Sequence, residues 1–416
     1  MAGMSGHRNA LAFVLITVLI NAIGFGIMIP VLPDLIKELT GLPNNAASIH
    51  GGWLTFVFAA MQFVAMPIVG ALSDAYGRRP IMLLSLAGLA ADYFLMALAP
   101  TIAFLYLGRV VAGAFGATFS TANAYIADVS PPDTRAQNFG LVGAAFGVGF
   151  ILGPVIGGLL GEYGARVPFY AAGALSLVNV IYGLIFLPET LAPEKRRPFT
   201  WTRANPVGAL QSLGRIRGVK GLIAVTVLLG LAHTAYPSVY TFTMLERLKW
   251  GPEEVGWSLG AFGLASAIVQ GGLIRIIIPK VGLFRAALIG ILSAVLAYFL
   301  IGMGTRGWIV YAAGPFAAMA GLYGPAITNM MSARVSESEQ GELQGALGAA
   351  QGLTLMIGPL MMTGTFERFA DPAASVYNPG APFLLASALC VVALVTVFLV
   401  TGPEDREAIP PPAPSA

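Results

Sequence analysis

The sequence predicts an all-α integral membrane protein: twelve transmembrane helices forming two pseudo-symmetric six-helix bundles. Three observations carry that prediction. Of 416 residues, 56% are hydrophobic and only 10% are charged, against about 25% charged in an ordinary soluble domain. The apolar residues fall in two sets of six runs with a polar stretch between them. The two sets also resemble each other at a fixed offset of 205 residues. A soluble enzyme of this size would lack the charge to cover its surface. Disorder is excluded by a mean hydropathy of +0.78, since disordered chains are poor in apolar residues.

A helix needs about 20 apolar residues to cross the hydrocarbon layer. Such runs lie at roughly 10–33, 50–72, 80–99, 101–125, 136–160 and 167–187. After a polar stretch they resume at roughly 221–244, 254–276, 284–303, 307–330, 342–366 and 381–401. The first run is too long for a signal-peptide core and no small-residue cleavage pattern follows it, so it reads as a retained span. The expected domains are therefore 1–187, a cytoplasmic linker at 188–220, a second bundle at 221–402, and a Pro/Ala-rich tail at 403–416 expected to be disordered.

Basic residues set the orientation. With the N-terminus in the cytoplasm, sixteen Lys and Arg fall inside or at the inner interface, among them Arg78, Arg79, Lys195, Arg196 and Arg197. Six fall outside, and Arg109 lies within a span. That asymmetry predicts a multi-pass inner-membrane (plasma-membrane) protein with both termini cytoplasmic.

The offset of 205 pairs Gly140, Gly143, Ala144, Ala145, Gly147, Gly153 and Pro154 with Gly345, Gly348, Ala349, Ala350, Gly352, Gly358 and Pro359. It also pairs Gly77 with Gly282, Tyr106 with Tyr311, and Gly116 with Gly321. Parallel repeats of this kind are a transporter architecture, with a binding site near the midplane.

Between spans two and three the chain carries Gly70, Asp74, Gly77, Arg78 and Arg79. Gly70 permits close helix approach and Gly77 a tight turn. Asp74 suits the N-terminal dipole of a helix from the other half, and Arg78 suits a pairing with Asp128 at the end of span four. These contacts would form a conformational latch; a plain positive-inside anchor is the competing reading. Span five carries Gly149, Gly153, Pro154, Gly157 and Gly158. Small residues at this spacing let backbones touch, and Pro154 bends the helix.

Arg109 in span four is costly inside a membrane without a partner or water. Asp92 in span three lies about as far from the turn at Pro100–Thr101 as Arg109 does. At 1.5 Å per residue both sit ~12 Å from that interface. The two are candidates for a proton-coupled pair, in which protonation of Asp92 releases Arg109; a permanent structural ion pair is the alternative. Asn21, Gln62, Arg109, His233, Tyr236, Gln270 and Gln351 are candidates for a polar substrate cavity suited to a drug-sized ligand. Each one taken singly also suits a helix–helix hydrogen bond.

Single Cys390 and three histidines leave no disulfide framework and no metal cluster. No Walker sequence or nucleophile–base set is present, which argues against an ATP-driven pump or an enzyme, and no cofactor is expected. The expected partners are a small-molecule substrate, protons and the lipid bilayer, with no nucleic acid and a monomeric chain.

These motifs resemble those of the major facilitator superfamily, and within it the drug:proton antiporters of the tetracycline-exporter type. The Asp74–Arg79 loop, Arg109 with Gly113, and Gly149–Gly158 correspond to that family's signature motifs in order. The stretches Met28–Pro33, Leu107–Arg109 and Asp92–Leu95 also look like tetracycline exporters. The resemblance implies a carrier of alternating access, lined by spans one, four, seven and ten. Asn21 stands where well-known tetracycline exporters carry an aspartate, and Leu292–Ala297 lacks another that they have.

The leading expectation is proton-coupled efflux of an amphipathic, tetracycline-like drug or metabolite. An importer or facilitator of a sugar or organic acid on the same fold is the alternative, and a non-transporting sensor or scaffold is a third reading.

Overall fold

The computed structural model describes residues 2–116, 118–131, 134–201 and 218–402. The predicted tail, and the linker residues Arg203, Arg215 and Arg217, lie outside the described residues. Among the described residues the chain is helical, with no strand.

The first half contains α1 (Ala2–Met28), α2 (Leu32–Thr40), α3 (Asn44–Tyr76), α4 (Arg78–Ala97), α5 (Ile102–Phe115), α6 (Thr118–Val129), α7 (Arg135–Gly161) and α8 (Val167–Phe186). The second contains α9 (Lys220–His233), α10 (Ala235–Leu248), α11 (Pro252–Ile268), α12 (Ile274–Val281), α13 (Leu283–Met303), α14 (Gly307–Met319), α15 (Tyr323–Ser332), α16 (Gln340–Phe369) and α17 (Ala381–Val400).

Among the described residues, ten helical stretches are long and apolar enough to cross a membrane. The two remaining sequence spans are broken. Span four is α5 followed by α6, and span ten is α14 joined to α15 by a 3₁₀ turn over Ala320–Leu322. The breaks fall at Gly116 and Gly321, which are 205 residues apart. Spans one and seven share a second paired interruption. α1 gives way to a turn at Ile29, and α9 ends at Thr234, again 205 residues on. Gly77 and Gly282 repeat a third feature: both open a helix with positive φ (109° and 83°) and extended ψ (159° and 164°). A side chain at positive φ is strained, so glycine is required at both.

The chain divides into two compact units. One is Met1–Pro43, Leu54–Pro206 and Gly251–Gly260; the other is Asn44–Trp53, Val207–Trp250 and Ala261–Ala416. Each unit therefore draws one helix end from the other half of the sequence. In the first unit, Phe13 and Val14 of α1, Leu86 of α4, Tyr125 and Ile126 of α6 and Val142 of α7 form a buried core. In the second, Val225, Ala287, Ile291, Phe366, Phe383 and Val397 are fully or almost fully buried.

Candidate functional site

Asp92 and Arg109 meet in the first unit. Arg109 Nη2 donates to Asp92 Oδ2. The side chains are 1% and 6% exposed, so the pair is withdrawn from water. Both come from the apolar bodies of helices joined by a short turn, α4 and α5, which run antiparallel and bring equal depths together. The arginine has further neighbours with no charge. Its Nη2 lies 3.0 Å from Met96 Sδ, its Nη1 3.4 Å from Met28 Sδ, and its guanidinium 5.7 Å from the Phe58 ring centroid. A cation over an aromatic face is attracted by the ring quadrupole.

Two atoms of the pair are left over. Asp92 Oδ1 and Arg109 Nε are buried with no hydrogen-bond partner among the described residues. Gly108 makes room for the first, since a Cβ there would stand 2.6 Å from Asp92 Oδ1. The pair is thus closely matched in charge but incompletely satisfied in hydrogen bonding, which is costly in a buried site. Phe58, Met28, Met96 and Gly108 escape a reading of the sequence alone; apolar residues inside apolar spans carry no distinguishing signal.

At the end of the same unit, Arg78 gathers several candidate residues. Its Nη1 lies 2.6 Å from Asp74 Oδ1 and 3.1 Å from Ser73 Oγ, and its Nε 3.1 Å from Asp128 Oδ2. Arg79 points elsewhere, donating from Nη2 to the Leu184 carbonyl at 2.8 Å. A Cβ on Gly70 would meet no atom within 4 Å, so no packing contact within its unit requires it to be glycine.

The small residues of span five form a ridge against α1. A Cβ on Gly149 would be 2.6 Å from the Leu19 carbonyl, on Gly153 2.6 Å from the Ile23 carbonyl, and on Gly157 2.7 Å from Ile27 Cα. The four-residue spacing of these glycines matches the four-residue spacing of their α1 partners, so the backbones run in direct contact. Gly158 faces the other way, towards Pro252 and Glu253, and the Pro154 carbonyl lies beside Gly256. These α11 residues belong to the same unit.

The polar cavity candidates separate by environment. Gln62 donates from Nε2 to the Gly116 carbonyl at 3.1 Å. It therefore serves the broken end of α5, whose last carbonyls lack helical partners. Gln270 lies in a π-helical turn over Val269–Leu273, where such turns re-aim side chains. Its Cγ would be 3.5 Å from a Cβ on Gly321, the counterpart of Gly116. His233, Gln270 and Gln351 are exposed on the second unit, and Asn21 is half-buried on the first. Tyr236 sits at the centre of an aromatic group. Its ring stacks on Phe262 at 5.2 Å and 8°, and lies within 5.9 Å of Tyr240, Tyr298 and Phe383. The His233 ring is 6.2 Å from that of Tyr236. Among the described residues, no group of His, Cys, Asp and Glu is arranged to hold a metal.

Comparison with known proteins decides the family. The Major Facilitator Superfamily model matches residues 14–359 and, in a second match, 222–415. The chain belongs to the major facilitator superfamily. It is a multi-pass membrane protein and a secondary transporter, not an enzyme. This superfamily member is 36% identical over 387 residues to the class C tetracycline resistance protein of Escherichia coli, covering 93% of this chain and 96% of that one. It is 36% identical over 370 residues to the class G tetracycline resistance protein of Vibrio anguillarum, covering 87% and 92%. Among solved structures, the nucleoside transporter NupG superposes with a TM-score of 0.77 at 15% identity, over 94% of this chain and 99% of that one. The human organic anion transporter MFSD10 (TETRAN) superposes with a TM-score of 0.69 at 24% identity, over 94% and 99%. At these identities the structural likeness concerns the fold.

Proposed function

We propose that this superfamily member exports tetracycline or a similar amphipathic drug in exchange for protons, with Asp92 and Arg109 as the coupling pair. The observation that carries this reading is the buried Asp92–Arg109 pair with its unpartnered Oδ1. The names of the relatives supply the substrate class.

The chemistry follows from the geometry. A proton arriving on Oδ1 neutralises the carboxylate without first breaking the Oδ2 contact. Arg109 then keeps only neutral neighbours, Met28, Met96 and Phe58, and its tie between α4 and α5 weakens. Loss of the proton restores the tie. Coupling needs this change to alternate with substrate release. One inward proton supplies ~2.3 kcal/mol per 100 mV and ~1.4 kcal/mol per pH unit, enough for roughly a 500-fold gradient of a neutral substrate.

His233, Gln270 and Gln351 are the polar groups proposed to meet the substrate. An exposed polar side chain in an apolar span is costly against lipid and suits a water-filled space. The Asp74, Arg78 and Asp128 cluster is the proposed latch, with Gly70 near the end of α3, Gly77 at the turn and Arg79 at the start of α4 as its remaining members. Gly149, Gly153, Pro154 and Gly157 form the bent face that keeps α7 against α1, and Gly158 opens the opposite face to α11. The protein is proposed to act as a monomer in the inner membrane with both termini cytoplasmic, as the distribution of Lys and Arg favours.

The test is reconstitution in vesicles holding a pH-sensitive dye, with an imposed tetracycline gradient. Proton flux opposite to the drug is expected. Flux in the same direction, or a gain in uptake by cells, returns the import reading. No flux with tetracycline removes the substrate assignment.

A further inference from the structure

Two helix ends meet beside the Arg78 cluster, and a carboxylate outside the proposed latch joins them. α4 begins at Arg78, immediately after Gly77, and its first N–H groups have no partner within the helix. α8 ends at Phe186, three residues before Glu189. Glu189 Oε1 accepts from the Arg78 N–H at 2.9 Å, and Oε2 from the Arg79 N–H at 3.3 Å. In return, Arg79 Nη2 donates to the Leu184 carbonyl in the last turn of α8. A negative group thus sits at the positive end of α4 and a positive group at the negative end of α8, so both dipoles favour the same contact.

The stretch that presents Glu189 is itself held. Glu189 Oε1 also accepts from the Thr190 and Leu191 N–H groups at 3.0 Å each. Tyr125 Oη of α6 donates to the Pro188 carbonyl at 3.0 Å, and the Arg197 N–H donates to the Asp74 carbonyl at 3.0 Å. Gly77 is shaped to this arrangement. A Cβ there would collide with the Glu189 carboxylate and stand 3.2 Å from Arg196 Nη2. The bare position therefore admits the carboxylate to the backbone as well as permitting φ of 109°.

We infer that Glu189 is a positioning residue of the transport cycle: it holds the Arg78 backbone where the Arg78 guanidinium spans Asp74 and Asp128. The carboxylate touches neither proton nor substrate. It acts through Arg78, and its effect on transport rests on the efflux reading above.

The experiment uses the full chain with Glu189→Ala, Glu189→Gln, Arg78→Ala and the Glu189→Ala/Arg78→Ala double variant. Hydrogen exchange is followed in peptides covering 77–82, and tetracycline-driven proton flux is followed in vesicles. In Glu189→Ala, the Arg78 and Arg79 amides should exchange about tenfold faster, as expected when a charged acceptor is removed, while the rest of α4 is unchanged. Turnover should fall about tenfold with KM unchanged. Glu189→Gln, which keeps one acceptor oxygen, should lie between. The double variant should match Arg78→Ala in turnover, because both changes act through one guanidinium. Unchanged amide exchange overturns the clasp. Faster exchange with unchanged turnover, or additive losses in the double variant, overturns the positioning role. Absence of drug flux in the unsubstituted protein overturns the efflux reading instead, and amide exchange then decides the clasp alone.

Discussion

Arg166 and Arg247 close the same pair of carbonyls in the two halves of the chain, although the two arginines are not counterparts. Arg166, between α7 and α8, donates to Ala97 and Ala99 at the end of α4, at 2.9 and 2.7 Å. Arg247, in α10, donates to Gly302 and Gly304 at the end of α13, at 2.8 and 3.1 Å. Gly302 and Gly304 lie 205 residues after Ala97 and Ala99. The duplicated helix leaves the same carbonyls without helical partners in each half. Each half satisfies them with a cation, which also suits the negative helix end.

Removal of either cation should destabilise its own unit. Hydrogen bonds to charged groups contribute about 1.5–3 kcal/mol each at most. Arg247→Ala is expected to cost more than Arg166→Ala, since Arg247 also donates to Ile301 and to Asn378, whereas the one further partner of Arg166 is Glu38, half-exposed and screened by water. Thermal unfolding in detergent measures both. Equal shifts, or a larger one for Arg166→Ala, would contradict the accounting of bonds.

The Asp92–Arg109 pair makes a sharper demand. Breaking a buried pair by removing one partner costs about 3–5 kcal/mol, because the other charge stays buried and unpaired. Asp92→Asn and Arg109→Met should each melt well below the unsubstituted protein, and the double variant should recover part of the loss. Proton-driven efflux should be lost in all three. Efflux that persists in Asp92→Asn would leave the pair structural and remove it from coupling.

The glycines of span five should respond very differently to alanine. At Gly153 the new methyl meets the Ile23 carbonyl and Gly26 Cα, both backbone, so it has nowhere to move. Overpacking of this kind costs about 1–3 kcal/mol. Gly147 has no atom within 4 Å of an added Cβ, and Gly147→Ala should leave unfolding unchanged or raise its temperature slightly, given alanine's better helix propensity. Paired melting curves test the contrast.

A pH effect is expected at the start of α16. Ser336 Oγ and N–H both donate to Glu339 Oε2, at 2.7 and 3.0 Å. These bonds hold the Glu339 carboxyl below its ordinary value of 4.5. A depressed folded value means the contribution is present above the unfolded value and is lost as pH falls through the folded one. Exchange of the Ser336 amide, just before α16, should therefore accelerate as pH falls below about 4.5, after correction for intrinsic rates. Glu339→Gln should remove that dependence.

Much of the candidate site is legible without the fold. Asp92 and Arg109 stand equally far from one turn, which sets their depth, and the fold does bring them into contact. The four-residue spacing of Gly149, Gly153 and Gly157 marks one helix face. Gln62 is legible only as a polar residue in a span; its bond to the Gly116 carbonyl depends on where α5 breaks. The breaks in spans four and ten leave no trace in the apolar pattern, because the hydropathy of a span is the same whether its helix is continuous or interrupted. Glu189 carries no signal either, since its partner Arg78 is 111 positions away in the chain.

By itself the sequence determined the class of protein, the number of apolar spans and their duplication, because hydrophobicity and repeat identity are properties of each segment alone. Only the tertiary structure decided which partner each polar atom takes: Asp92 Oδ2 for Arg109, the Arg78 N–H for Glu189, the carbonyls of α4 and α13 for Arg166 and Arg247. A hydrogen bond is short and directional, so it depends on the placement of two chain segments to within an ångström, and no local pattern of residues encodes that placement.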